Sequence, residues 1–110
     1  MDDNQILLLK KKHNIPMTEE IYVLKVEKDE KEIGEDGVKE WVTYLREPNL
    51  SEEENLLNII STKMLTGTQL ALQSLYLDGD KFYESKKLIK SSMKFVSEMF
   101  NAKELSIEKK

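Results

Sequence analysis

The sequence predicts an α+β fold: a short N-terminal helix and an antiparallel β-hairpin, packed against about three C-terminal helices. Three observations carry this expectation. Two runs rich in β-branched and aromatic residues, IYVLKVEK and VKEWVTYLR, flank a stretch of turn-forming residues, DEKEIGEDG. A start signal, SEEE, then opens a segment whose leucines and isoleucines recur at helical spacing. Towards its end the chain keeps apolar residues three and four apart while lysines fill the gaps. With 110 residues, 39% hydrophobic and 35% charged, it is expected to form one domain with a modest core under a heavily ionised surface.

Taken in order, residues 2–13 have acids at one end and three lysines at the other, the polarity that complements a helix dipole. Asp2 or Asp3 is the expected N-cap, and Asn14-Ile15-Pro16 the expected stop, because a residue preceding proline is pushed out of the helical region. Residues 21–46 read as the hairpin. Tyr22, Leu24 and Val26 share one face of the first strand; on the return strand Trp41, Thr43 and Leu45 oppose Val42 and Tyr44. Asp36-Gly37 marks the turn, and Pro48 the end of the second strand. Two strands alone are marginal in water, so helices must cover them.

Residues 51–102 read as helical. Ser51 and Glu54 are spaced as a capping box, and Leu56, Ile59, Ile60 and Met64 form the apolar stripe that follows. Thr66-Gly67-Thr68 is the expected break, with Thr68 capping a second helix through Leu77 that is apolar on almost every side. Asp78-Gly79-Asp80 is expected to stop that helix, with Gly79 in a left-handed C-cap. Phe82, Ile89, Met93, Val96 and Phe100 mark a long amphipathic last helix, and residues 103–110 are expected to fray.

Charge is unevenly placed. Residues 18–54 carry 13 acids against 5 bases, a net −8, whereas residues 81–110 carry 8 lysines against 4 glutamates, a net +4, within a total of −4. The two regions can attract one another, or one can dock a charged partner. The acidic middle argues against nucleic-acid binding, which needs clustered cations. No apolar run approaches the roughly 20 residues of a membrane span. With no cysteine, disulfides, thiolate nucleophiles and cysteine-held zinc are all excluded. The opening MDDNQ has acids where a secretion signal needs positive charge, so a cytoplasmic protein is expected.

Candidate chemistry is sparse. His13 is the single histidine, without nearby ligands. In Asp78-Gly79-Asp80 the glycine falls between the acids, out of register for a calcium loop. The acids of residues 27–36 read as solvated hairpin-tip charges, and Thr66-Gly67-Thr68 lacks the spacing of a phosphate loop. No catalytic, cofactor-binding or metal-binding residue is assigned, and a non-enzymatic protein is expected. Trp41 beside Tyr44 and Arg46 reads first as core packing; exposed, it would be a docking anchor.

A strand ending in YLREP, a helix, a small break and an apolar helix closed by DGD, in that order, resemble small phage tail assembly chaperones. In those proteins a β-containing part reading R-x-P precedes helices, with Gly-Asp closing the penultimate one. The similarity runs from about Gln5 to Ala102. It implies a non-enzymatic protein of the bacterial host cytoplasm that binds a long helical tape-measure protein, keeps it soluble until the tail tube assembles, and self-associates along it. Trp41, Arg46, Pro48 and the last helix are the expected protein contacts. The alternative is a small prokaryotic regulatory or adaptor domain that binds another protein and has no connection with phage.

Overall fold

Alternation along two strands builds a sheet with two apolar faces, and helices cover both. The computed structural model describes residues 3–100. Asp2, residues 101–102 of the expected last helix and the expected frayed tail lie outside the described residues. The order is α1 (Asp3–Lys12), β1 (Ile21–Glu27), β2 (Glu40–Arg46), α2 (Leu50–Thr62), α3 (Met64–Ser74), β3 (Tyr76–Gly79) and α4 (Lys86–Phe100), with short 3-10 turns at Glu30–Glu32 and Phe82–Glu84. The fold is α+β, with a three-stranded antiparallel sheet in the order β1-β2-β3.

β1 and β2 pair from Ile21 opposite Arg46 to Glu27 opposite Glu40 without interruption. Tyr22, Leu24 and Val26 therefore stand across from Leu45, Thr43 and Trp41, all on one face. That face meets Leu56, Leu72, Leu75, Phe82, Val96 and Phe100 of the helical layer, the main core. The opposite face carries Ile21, Tyr44 and Leu77, and it is closed by Leu9 of α1 and by Ile15 just after the helix. α1 ends in a Schellman motif: Asn14 takes φ +55°, a conformation asparagine tolerates, and the Ile15 N–H bonds to the Lys10 carbonyl at 2.8 Å. That turn swings Ile15 into the second cluster.

Four expectations change in the helical part. The cap of α2 is Asn49, not Ser51: the Asn49 side chain accepts from the Glu52 N–H at 2.8 Å and Glu52 accepts from the Asn49 N–H at 3.0 Å. The earlier box prevails because the same Glu52 also binds an arginine. The break between α2 and α3 falls at Lys63 (φ −137°, ψ 84°), so Thr66-Gly67-Thr68 lies inside α3 and Thr68 caps nothing. Gly67 instead lets the two helices touch: a Cβ there would lie 2.6 Å from the Ile60 backbone nitrogen. α3 stops at Ser74 rather than Leu77. The residues that follow form β3 on the free side of β2, with an irregularity between Tyr44 and Leu45. Gly79 does have a positive φ, +88°, but at the end of a strand, where a Cβ would meet the Val42 carbonyl at 2.5 Å.

The Asp-Gly-Asp segment is thus a strand terminus. The Asp80 N–H donates to the Val42 carbonyl at 2.7 Å, and the Asp80 carboxylate accepts from the Val42 N–H at 2.9 Å. A side chain here supplies the acceptor that a further strand residue would have supplied. Asp78 accepts from the Gly79 N–H at 2.8 Å.

Candidate functional site

Arg46 and Glu52 fix the end of the sheet where β2 hands over to α2. The guanidinium makes a bidentate pair with the Glu52 carboxylate, Nη1 to Oε1 at 2.8 Å and Nη2 to Oε2 at 2.6 Å. Nη1 also donates to the Glu47 carbonyl at 3.2 Å and Nη2 to the Ser74 carbonyl at 3.1 Å. The Arg46 backbone N–H bonds to the Leu75 carbonyl at 2.9 Å. One residue therefore ties the start of α2 to the end of α3 and turns the chain from α3 into β3. The Arg46 guanidinium holds the Glu52 carboxyl down at about 2, against its ordinary 4.5, with the Asn49 N–H helping and burial opposing. Arg46 is in turn held above its ordinary value, mainly by its bonds to Glu52, with a weaker attraction from Glu19.

Around this clamp the surface combines acids with exposed apolar side chains, and one cation stands beside them, the Lys10 ammonium donating to the Met17 carbonyl at 3.2 Å. Burial, then the charges of Glu47, Glu20 and Glu53, push the Tyr22 phenol up, which places three carboxylates about one side chain. Arg46 is already matched by Glu52, so these acids keep their field. Met17 is 63% exposed and Leu50 79% exposed. Met17 precedes Ile21 by four residues and Leu50 follows Arg46 by four, and Ile21 and Arg46 are paired. Both residues therefore lie at the same end of the sheet as the acids.

Trp41 lies elsewhere. Arg46 is five residue steps further along the strand, roughly 17 Å at the usual rise, so the structure does not bring Trp41 together with Arg46 and Pro48. Its half-buried ring packs on the main core and the Lys28 ammonium sits 4.3 Å from the ring centroid. The buried Nε1 has no close hydrogen-bond partner among the described residues, but it faces Glu32 and adds to the lowering of that carboxyl. It walls an open cleft of about 460 Å³ with Leu88, Asp80, Lys81, Glu84 and Glu32. Two of those carboxylates are occupied: Asp80 by the Val42 N–H, and Glu32 by Lys87 at 2.6 Å and the Asp29 N–H at 3.0 Å. Lys87, which also bonds Asp29 at 3.1 Å, thereby pins the hairpin tip to the start of α4 and pulls the Glu32 carboxyl down.

Pro48 is half-buried between the clamp and the Asn49 cap, so the R-x-P corner is largely consumed by folding, and the groups that face outward there are its neighbours. Sequence reading singled out Arg46 and passed over Met17, Leu50 and the four glutamates around them. The signal was present, an apolar residue beside acids at each end of the hairpin, but joining the two ends requires the strand register.

Among the described residues, no group of three or more histidine, aspartate or glutamate side chains is arranged to hold a metal ion. None of the described helices is long and apolar enough to cross a membrane. The chain matches no family model, and neither a curated protein nor a solved structure shows significant similarity to it.

Proposed function

We propose that this chain is a non-enzymatic, protein-binding domain that works as a phage tail assembly chaperone in the host cytoplasm, covering apolar helical surface of a tape-measure-like protein until the tail assembles. The observation that carries this reading is the end of the sheet just described, where Met17 and Leu50 stand exposed among Glu19, Glu20, Glu47 and Glu53. An amphipathic helix with an apolar stripe and a basic flank is the ligand whose chemistry fits it. The two short motifs behind the family resemblance also belong to one unit. The arginine of R-x-P bonds the chain just before β3, and the aspartate after Gly79 bonds β2.

The test is co-expression with fragments of the tape-measure protein encoded nearest to this gene, scoring the fragment's soluble fraction. Wild-type chain raises it, and a Met17→Asp/Leu50→Asp variant, altered only at exposed positions, does so several-fold less. An unchanged soluble fraction with the wild-type chain overturns the reading.

A further inference from the structure

β1 is an edge strand, and its outer side is open. The phase of the ladder says which backbone groups it presents. Lys28 donates to the Lys39 carbonyl across the hairpin, whereas Val42 and Arg46 bond outward, towards the segment containing β3. In an antiparallel pair the bonded positions alternate. Tyr22, Leu24 and Val26 therefore spend their N–H and C=O groups on β2, while those of Ile21, Val23, Lys25 and Glu27 point away from the sheet. Among the described residues nothing bonds to them.

An edge seven residues long, in unbroken register, is what natural proteins usually blunt with proline, a bulge or a covering element. β1 has no proline and no bulge. α4 does not seal it: a groove of about 260 Å³ runs between residues 23–26 and Ser91, Ser92 and Phe95 of α4. The side chains at its two flanks carry opposite charge, Glu20 before the strand and Lys28 after it.

The geometry points to a second copy of this chain as the occupant of that edge, β1 pairing with β1 antiparallel about a two-fold axis at Leu24. This register overlaps all seven residues, sets Val23 opposite the partner's Lys25, and puts Glu20 opposite the partner's Lys28 at both ends. Shifting the axis to Lys25 would stack that lysine on its own copy. Shifting it to Val26 would leave Ile21, Tyr22, Val23 and Leu24 unpaired. The product is a continuous six-stranded sheet with an isologous interface. Being an edge-to-edge contact of modest area, it should be reversible, with a dissociation constant between about 1 µM and 1 mM. It draws on Glu20 at the rim of the Met17–Leu50 surface and leaves Met17, Leu50, Glu19, Glu47 and Glu53 to a different partner.

Sedimentation equilibrium of the full chain, from low micromolar to about 1 mM, tests it. Wild type shows a monomer–dimer equilibrium. Val23→Pro deletes an N–H that β2 does not use, so the variant keeps its circular dichroism spectrum and dimerises at least about tenfold more weakly. Glu20→Lys and Lys28→Glu each create two like-charge contacts and weaken the dimer by roughly tenfold, and combining them restores it. A wild type that stays monomeric throughout overturns the proposal. So does a dimer indifferent to Val23→Pro, or single reversals that the double variant fails to rescue.

Discussion

At Glu52 one carboxylate accepts the Asn49 N–H that caps α2 and both ends of the Arg46 guanidinium. Its low pKa makes it a source of pH dependence with a fixed sign. The folded form holds the carboxyl at about 2 and the unfolded chain near 4.5, so the stabilisation is complete above about 4.5 and is lost as pH falls through 2. The pair is partly exposed, at 26% for Glu52 and 31% for Arg46. Solvent screening therefore brings the roughly 3 kcal/mol implied by such a shift down to about 1–2 kcal/mol. Glu52→Gln keeps a side chain able to cap and loses the charge. Urea unfolding should find it about 1–2 kcal/mol less stable than wild type at pH 7 and equal to it near pH 2. A deficit of the same size at both pH values would mean that the ion pair is not its source.

Gly67 makes a second residue-scale case, because two ordinary effects oppose each other there. Alanine in a helix interior normally gains about 1 kcal/mol over glycine. Here its Cβ would stand 2.6–2.7 Å from the Ile60 backbone nitrogen and Cα. Backbone cannot swing aside, so α2 and α3 must separate, and overpacking of this kind costs about 1–3 kcal/mol or more. Gly67→Ala should therefore lower the midpoint of thermal unfolding, and a raised midpoint would show that the helices do not cross so closely.

Among elements, β3 is the one that local sequence hides. Residues 70–77 are apolar enough to satisfy a helix or a buried strand, and periodicity alone does not separate the two over so short a run. What decides is distant: Arg46 takes the carbonyls of Ser74 and Leu75, which α3 would otherwise leave at its end, and the chain peels off along β2. β1, β2 and α4 were legible because alternation or helical spacing runs through each for seven residues or more. The cap of α2 and the break before α3 were displaced by tertiary partners, Arg46 in one case and Ile60 in the other. If β3 is held as described, Asp80→Ala strands the half-buried Val42 N–H at a cost of about 1–3 kcal/mol. Hydrogen exchange should then speed up at the Val42 amide and not at Thr43, which bonds to β1. Equal acceleration at both would place Asp80 outside the strand end.

For the whole molecule, the fold sorts the chain's charge into places that the linear sequence leaves spread out. Lysines of α4 meet the acids of the hairpin tip through Lys87, so part of the opposite charge of the two halves is settled internally. Among the described residues, the acids at the other end of the sheet form no ion pair beyond the Arg46–Glu52 clamp, and beside them two large apolar side chains face solvent. That division was readable in the sequence only as a net −8 against a net +4, since its location depends on Ile21 lying opposite Arg46. On the proposed function, this end, and not the Trp41 cleft, receives a helical partner. The most direct measurement is a titration of isotope-labelled chain with a synthetic amphipathic helix bearing lysines along one side of its apolar stripe, followed by amide chemical shifts. A partner seated there produces shifts concentrated at Met17–Tyr22 and Glu47–Glu53 that shrink as salt is raised. Shifts centred on Trp41, Lys81 and Leu88, or none at all, would contradict it.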